Sequence, residues 1–362
     1  MVQDEENECE ILPTFHSFYR RLYAAAAKQA KTDKLNKVFE KVMTESSFCK
    51  LSPRIQCILR WIFACHELWL GLTFDDIDCE EWVEMANPDN PSWGDLDGPH
   101  AIITEGIGRI VETRMTKKLE TKINHRVIKI EQTNQGCRTT SVASQSDKGD
   151  TSATITSAFV IVTIPVAVLA KSADDLFSPS LSNSMKKSLS EISISHYLKV
   201  YLVFNRVFWD KESTWIGVTA DFPNKDPSNQ PFMLYFNYYK FNKAPILIAT
   251  ACGEAAKLLE MKKEDNEIVK RALKPLYKVF GTHIEEWLEQ SLVTRWGKEK
   301  YSKGAYPLGS FSIDQEHGSV LFAGDGITAN GDEGSLHAAC FSGIKQAETV
   351  LEILQTRNAP LQ

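Results

Sequence analysis

The sequence lacks the usual signatures of a metal or disulfide scaffold. Its eight cysteines stand at 9, 49, 57, 65, 79, 137, 252 and 340. None forms a C-x-x-C pair, and no Cys/His cluster has zinc spacing, so no metal is expected. Scattered single cysteines point to a reducing compartment and to core-filling roles. Long hydrophobic runs are missing too. The longest, Phe159 to Ala170, is too short to span a bilayer and contains Pro165. The first ten residues, MVQDEENECE, are acidic and do not read as a signal peptide, and the end, NAPLQ, carries no lipidation signal. The expectation is an intracellular, cytoplasmic protein that does not enter a membrane. Charge of one sign is not in excess. There are 41 Lys and Arg against 47 Asp and Glu, a formal net charge of −6, so nucleic acid binding is not expected. No internal repeat is visible.

What is present is an ordinary globular composition, 43% hydrophobic and 24% charged over 362 residues. That length suffices for one large domain or two ordinary ones.

Residues 13 to 86 read as helices. Phe15, Phe18, Tyr19, Leu22 and Tyr23 recur at three and four, and Val38, Phe39, Val42 and Met43 continue the pattern. From Arg20 to Lys41 there are seven Lys and Arg against two acids, which fits a solvated helix face or a partner-binding face. QCILRWIFACHELWLG, 56 to 71, is apolar around most of a helix, and His66 in it reads as a satisfied core histidine. NPDNPSWGDLDGPH, 87 to 100, is a loop. A turn at Gly106-Ile107-Gly108 leads into a helix from Arg109.

The middle of the chain reads as sheet. RVIKIEQT, 126 to 133, alternates as a strand does. The polar stretch 138 to 152 reads as a flexible hairpin loop. ATITSAFVIVTIP, 153 to 165, is one strand ending at a proline, buried on both faces in its second half. HYLKVYLVFNRVFW, 196 to 209, is a strand with Tyr197, Lys199, Tyr201 and Val203 on one face. FMLYFNYYK (232 to 240) and PILIATACG (245 to 253) are strands, and 254 to 279 is helix.

The last informative stretch is LFAGDGITANGDEGSLHAACFSGIKQAETVL, Leu321 to Leu351. A short apolar strand breaks at Gly324-Asp325, crosses a Gly- and acid-rich turn and enters a helix with Ser335 as N-cap. Free N–H groups and the helix dipole make such a junction receptive to an electron-rich group. An ordinary strand-turn-helix connection has the same spacing.

Six of these stretches, taken in order, resemble the flavin-dependent amine oxidases, a family that includes polyamine oxidases, monoamine oxidases and flavin histone demethylases. They are GPHAIITEGIGRIVETRM, NHRVIKIEQT, FVIVTIPVAVLAKSADDLFSPSLSNSMKKSLSEIS, HYLKVYLVFNRVFWD, VTRWGKEKYSKGAYP and the stretch from Leu321. The resemblance covers roughly residues 95 to 355. It implies an α/β (α+β) chain. A Rossmann-like FAD-binding domain, incomplete at its N-terminus, would be interleaved with a substrate domain of mixed sheet and helices. On that division, 1–95 is the helical part of the substrate domain and 96–170 a segment of the FAD domain. Residues 171–290 are the substrate-binding sheet and helices, and 291–362 the C-terminal FAD segment.

The family pattern also implies roles. Val127 would contact the adenine side of FAD through its backbone. Asp325 stands where the family has a Glu after Ala-Gly. Ser335 and Leu336 stand where a helix N-terminus points its N–H groups at the flavin ring. Trp296 matches a tryptophan that flanks the flavin. Lys199 matches the lysine that holds a water against the reactive ring nitrogen. Tyr306 matches one wall of an aromatic substrate cage. The implied reaction moves hydride from the α-carbon of a small-molecule amine to flavin, and O2 then yields H2O2.

Two departures stand out. The sequence contains no G-x-G-x-x-G, the loop with which the family cradles the FAD pyrophosphate. It opens where the family has already completed its first βαβ unit. The second cage aromatic is also missing. Asn330 to Gly334 carries instead Asp332 and Glu333, which could select a polycation or form a solvated turn. Two further readings are therefore kept: a non-catalytic binding or regulatory module, and a piece of a longer oxidase.

Overall fold

A computed structural model describes residues 5–29, 33–85, 102–115, 119–143, 151–219, 231–308, 311–313, 318–327 and 333–358. The chain divides into two compact units, each built from two separated stretches. One comprises Met1–Asp97 and Ser195–Glu299, the other Gly98–Ile194 and Lys300–Gln362.

Five helices open the chain: α1 (Glu5–Ala26), α2 (Leu35–Met43), α3 (Ser46–Cys49), α4 (Pro53–Leu70) and α5 (Cys79–Met85). Next come α6 (Ile107–Ile110), β1 (His125–Thr133), β2 (Gly136–Ala143), β3 (Thr151–Ser157) and β4 (Val160–Val162). They are followed by α7 (Val166–Leu176), β5 (Phe177–Ser178), α8 (Asn183–Glu191) and β6 (Ser193–Ile194). The chain continues with β7 (Tyr197–Phe204), β8 (Trp215–Gly217), β9 (Leu234–Asn237), α9 (Tyr239–Asn242) and β10 (Ile246–Cys252). It ends with α10 (Gly253–Lys262), α11 (Asp265–Phe280), β11 (Leu288–Val293), β12 (Pro307–Leu308), β13 (Val320–Phe322) and α12 (Leu336–Asn358).

In the first unit the helical layer follows from the three-and-four spacing. Phe18, Leu22, Val38, Val42 and Phe63 are buried. Helix α4 starts at Ser52, whose Oγ accepts from Ile55 N, with Pro53 pre-set for the first turn. It stops at Gly71, whose φ of 67° suits a residue without a Cβ. His66 Nδ1 lies 3.0 Å from Ile62 O, and its ring packs against Phe15, Tyr19, Phe63 and Trp82. Burial pushes its pKa down. It is the satisfied core histidine that the sequence suggests.

The same unit holds a five-stranded antiparallel sheet in the order β11-β7-β10-β9-β8. Leu198, Val200, Leu202 and Phe204 of β7 are buried in one cluster with Ile268, Ala272, Leu273 and Leu276 of α11. The period of two along β7 places Tyr197, Lys199, Tyr201 and Val203 on the opposite, half-buried face.

The second unit holds a four-stranded sheet, β3-β2-β1-β5, and a separate parallel pair of β13 with β4. Its core joins Ile130, Val162, Leu169, Leu176, Met185 and Phe322 from both sheets and from α7 and α8. Helices with mixed sheets fit an α/β (α+β) fold. Among the described strands the parallel pairings are β13 with β4 and β1 with β5, and no wider parallel Rossmann-like sheet is seen. Among the described residues, no helix is long and apolar enough to cross a membrane.

Several expectations need correction. Residues 138–143 are strand, not loop: β2 pairs along its whole length with β1 and β3. Their Thr and Ser side chains made a paired strand look like a polar loop. The strand expected over 153–165 is two, β3 and β4, parted at Ala158-Phe159. The strand expected over 196–209 stops at Phe204. The one expected over 232–240 ends at Asn237 and turns into α9. The helix expected over 254–279 is two helices, interrupted at Lys263-Glu264. The loop at 87–100 lies outside the described residues.

Candidate active site

Lys199 sits in the middle of β7, opposite Thr250 of β10. On its other side Thr294 continues the ladder past β11. Thr294 Oγ1 accepts from Lys199 N at 2.8 Å, and Thr294 N donates to Lys199 O at 2.9 Å. The backbone on both sides is thus held, and the side chain projects from the face opposite α11. Its Nζ lies 5.6 Å from the centroid of the Tyr197 ring. Among the described residues it meets no carboxylate and donates no hydrogen bond. Burial holds this amine below the usual lysine range. Next to it, burial pushes the Tyr197 hydroxyl up. A half-buried amine with an aromatic neighbour and unused donors can order a water or a small polar ligand.

Trp296 follows two residues after Thr294 and is 45% exposed. Its neighbours are fixed from a distance. Gly297 N and Lys298 N donate to Glu260 Oε1 at 2.8 and 3.1 Å. Arg295 donates to the carbonyls of Glu260 and Lys263 and to Asp265 Oδ1. A Cβ at Gly297 would stand 2.6 Å from Glu260 Oε2, so a larger residue there would have to displace that carboxylate. Glu260 is itself only 4% exposed. The tryptophan therefore rides on a clamp that ties the end of β11 to the gap between α10 and α11.

The second unit carries the strand-turn-helix junction. β13 pairs with β4, and Ala323 N donates to Val162 O. Gly324 is then gripped by Ser342 of α12: Ser342 Oγ accepts from Gly324 N at 2.9 Å and lies 3.0 Å from Gly324 O. Gly334 N returns to Asp325 O at 3.1 Å, closing the turn on itself. Gly334 has φ 78°, and a Cβ there would be 2.9 Å from Tyr306 Cδ2. Ser335 is the N-cap, as its sequence position suggests, with Ala338 N donating to its Oγ at 3.1 Å. Leu336 opens the 23-residue α12 and is 67% exposed. Burial raises the Asp325 carboxyl above its ordinary value, while the N–H groups of Asp325 and Gly326 pull it back.

The structure thus brings Tyr306, Asp325, Gly334 and Ser335 together in one unit, and Lys199 with the Thr294–Trp296 stretch in the other. Glu333 is half-buried at the start of the returning turn, and Asp332 lies outside the described residues. Val127 is on β1 beside a bulge at Val127–Lys129, partly buried against the second unit's core. A bulge leaves a backbone group out of the ladder and available to a ligand. Among the described residues, no group of three or more His, Cys, Asp or Glu could hold a metal ion.

Residues 4–351 match the model of the flavin containing amine oxidoreductase family. The chain belongs to that family. Its relatives include "Lysine-specific histone demethylase 1 homolog 3" of Arabidopsis thaliana, 28% identical over 85% of this chain and 19% of the relative. "Polyamine oxidase 2" of Arabidopsis thaliana is 23% identical over 95% of this chain and 66% of its own length. "Polyamine oxidase 5" of Oryza sativa subsp. japonica is 26% identical over the same shares, 95% and 66%. The chain therefore spans between a fifth and just under two thirds of these relatives.

Amine oxidoreductases of this family carry flavin, and the junction offers the ring end of such a group a fit. The first turn of α12 presents N–H donors at the positive end of a long helix dipole, and the capped, closed turn holds them in place. Ser342 and Glu260 are the two supporting residues that sequence reading missed. Their partners lie 18 and 37 residues away, and no local pattern marks a serine inside a helix or a glutamate near its end as a clamp.

Proposed function

We propose that this chain oxidises a polyamine-like amine, with flavin adenine dinucleotide as hydride acceptor and O2 as the final oxidant, giving H2O2. The observation that carries this is Lys199, a half-buried amine whose Nζ has no acceptor among the described residues and lies beside the Tyr197 ring. Relatives named polyamine oxidases align over 95% of the chain, and so does one named a possible lysine-specific histone demethylase, so the choice of a polyamine rests on the acids Asp332 and Glu333 in the sequence.

Bound FAD supplies the hydride-accepting ring; the chain's own residues do the rest. Lys199 Nζ, kept weakly basic by burial, holds a water by donating to it. Tyr306 forms one wall of the amine site, where a ring face suits a cationic or newly neutral amine. Asp332 and Glu333 attract the distal charges of a polycation. Ser335 fixes the start of α12, and the Leu336 N–H would donate toward a bound flavin ring. Asp325 holds the turn beside it, Trp296 would flank the ring, and the backbone at Val127 would meet the adenine end. Seven free cysteines among the described residues accord with an intracellular, cytoplasmic setting.

A second reading has its own motivation. The sequence contains no G-x-G-x-x-G, the usual source of pyrophosphate affinity. On that reading the chain is a non-catalytic module that keeps the substrate-binding sheet. Reconstitution with FAD followed by a peroxide assay with spermidine separates the two. A yellow protein that makes peroxide, with the rate lost in Lys199→Met, supports the oxidase. A protein that stays colourless after reconstitution supports the module.

A further inference from the structure

A groove outside the proposed catalytic residues has no role in amine oxidation. It lies between α1 and α2 and has a volume of about 450 Å³. Its floor is apolar, formed by Ala25, Val38 and Val42. Its rim is basic. Arg21 stands on α1 and Lys28 in the turn just after it, and Lys37 and Lys41 stand one turn apart on α2. Arg21 is already engaged, by Glu45 and by Ser47 Oγ at 2.7 Å. Lys28, Lys37 and Lys41 are exposed and have no ion pair among the described residues. Two like charges one turn apart on a helix repel each other. Of the charge run from Arg20 to Lys41, Lys28, Lys37 and Lys41 line this groove without an acid partner among the described residues, while Arg21 and Lys34 pair with Glu45 and Asp78.

We propose that this groove binds an acidic amphipathic peptide segment of a partner protein. The match is in spacing as well as sign. Carboxylates at i and i+4 of a partner helix repeat at about 6 Å and face the Lys37–Lys41 row. Small apolar residues between them fit the Ala25–Val38–Val42 floor. Helix-in-groove recognition works in this way, with apolar anchors for affinity and charge for register. A nucleic acid fits less well. A phosphate backbone offers nothing to an apolar floor. Opposite charge across the interface also speeds encounter and makes binding sensitive to salt.

The test uses the full chain and a fluorescein-labelled 16-residue helix of Glu, Ala and Leu with Glu pairs at i and i+4. Fluorescence anisotropy is read at 50 and 300 mM salt. The expected result is saturable binding at 50 mM salt that weakens at least tenfold in the double variant K37E/K41E. The control Lys50→Glu, an exposed lysine outside the groove, leaves binding unchanged. Circular dichroism and the melting curve of K37E/K41E should match the parent, which separates lost binding from lost folding. If the double variant melts differently, Lys28→Ala with Lys41→Ala gives a milder version of the same readout. The proposal is overturned if the peptide fails to bind at low salt, if Lys50→Glu weakens it equally, or if a duplex oligonucleotide binds more tightly than the peptide.

Discussion

Glu67 shows how one half-buried group gives the molecule a pH dependence. Its carboxylate accepts from Phe74 N at 2.7 Å, at the end of α4. Burial, with the charges of Asp75 and Asp76, raises its pKa from 4.5 to about 7, against the pull of the Phe74 N–H. The folded state then holds a proton that the unfolded state has released. Stability is full below about pH 4.5, falls as pH rises toward 7, and stays lowered above that. The loss is at most about 3 kcal/mol. Urea denaturation at a series of pH values should show this decline in the parent and a flatter profile in Glu67→Gln. Gly334 makes a second prediction at this scale. A Cβ there meets the Tyr306 ring, and φ is 78°. Gly334→Ala should destabilise the protein by about 1–3 kcal/mol in the same measurement.

At the scale of elements, the grip of α12 on the turn after β13 depends on Ser342, 3% exposed. Ser342→Ala leaves Gly324 N without its acceptor and should cost about 1–3 kcal/mol in chemical denaturation. Hydrogen exchange at Gly324 should quicken in that variant. Alternation made β7 legible, because one face packs on α11 and the other does not. The Ser335 cap was legible because a Ser before an apolar helical run is a local signal. β2 was not legible. Its run GCRTTSVA is polar, yet Thr suits a pleated strand, and pairing with both β1 and β3 supplies what composition does not. The break between α10 and α11 carries no Gly or Pro. It is held open by Arg295, more than 30 residues downstream, taking the carbonyls of Glu260 and Lys263. Local reading has no access to a partner so distant in sequence. The same holds for Glu260 beneath Trp296.

At the scale of the molecule, both units are assembled from two stretches of chain each. Lys199 and Trp296 lie in one of them, and Val127, Tyr306, Asp325, Ser335 and Leu336 in the other. Family membership rests on the match over residues 4–351, while the proposed reaction rests first on Lys199. The measurement that tests this most directly is anaerobic mixing of the flavin-reconstituted protein with spermidine, followed by the visible absorbance of the flavin. Bleaching should occur in the parent and slow on the order of 10²-fold in Lys199→Met, which keeps the side chain's bulk and removes the donor. A flavin that binds but is not bleached by spermidine, or is bleached equally fast in Lys199→Met, would contradict the proposed role of Lys199 and the activity built on it.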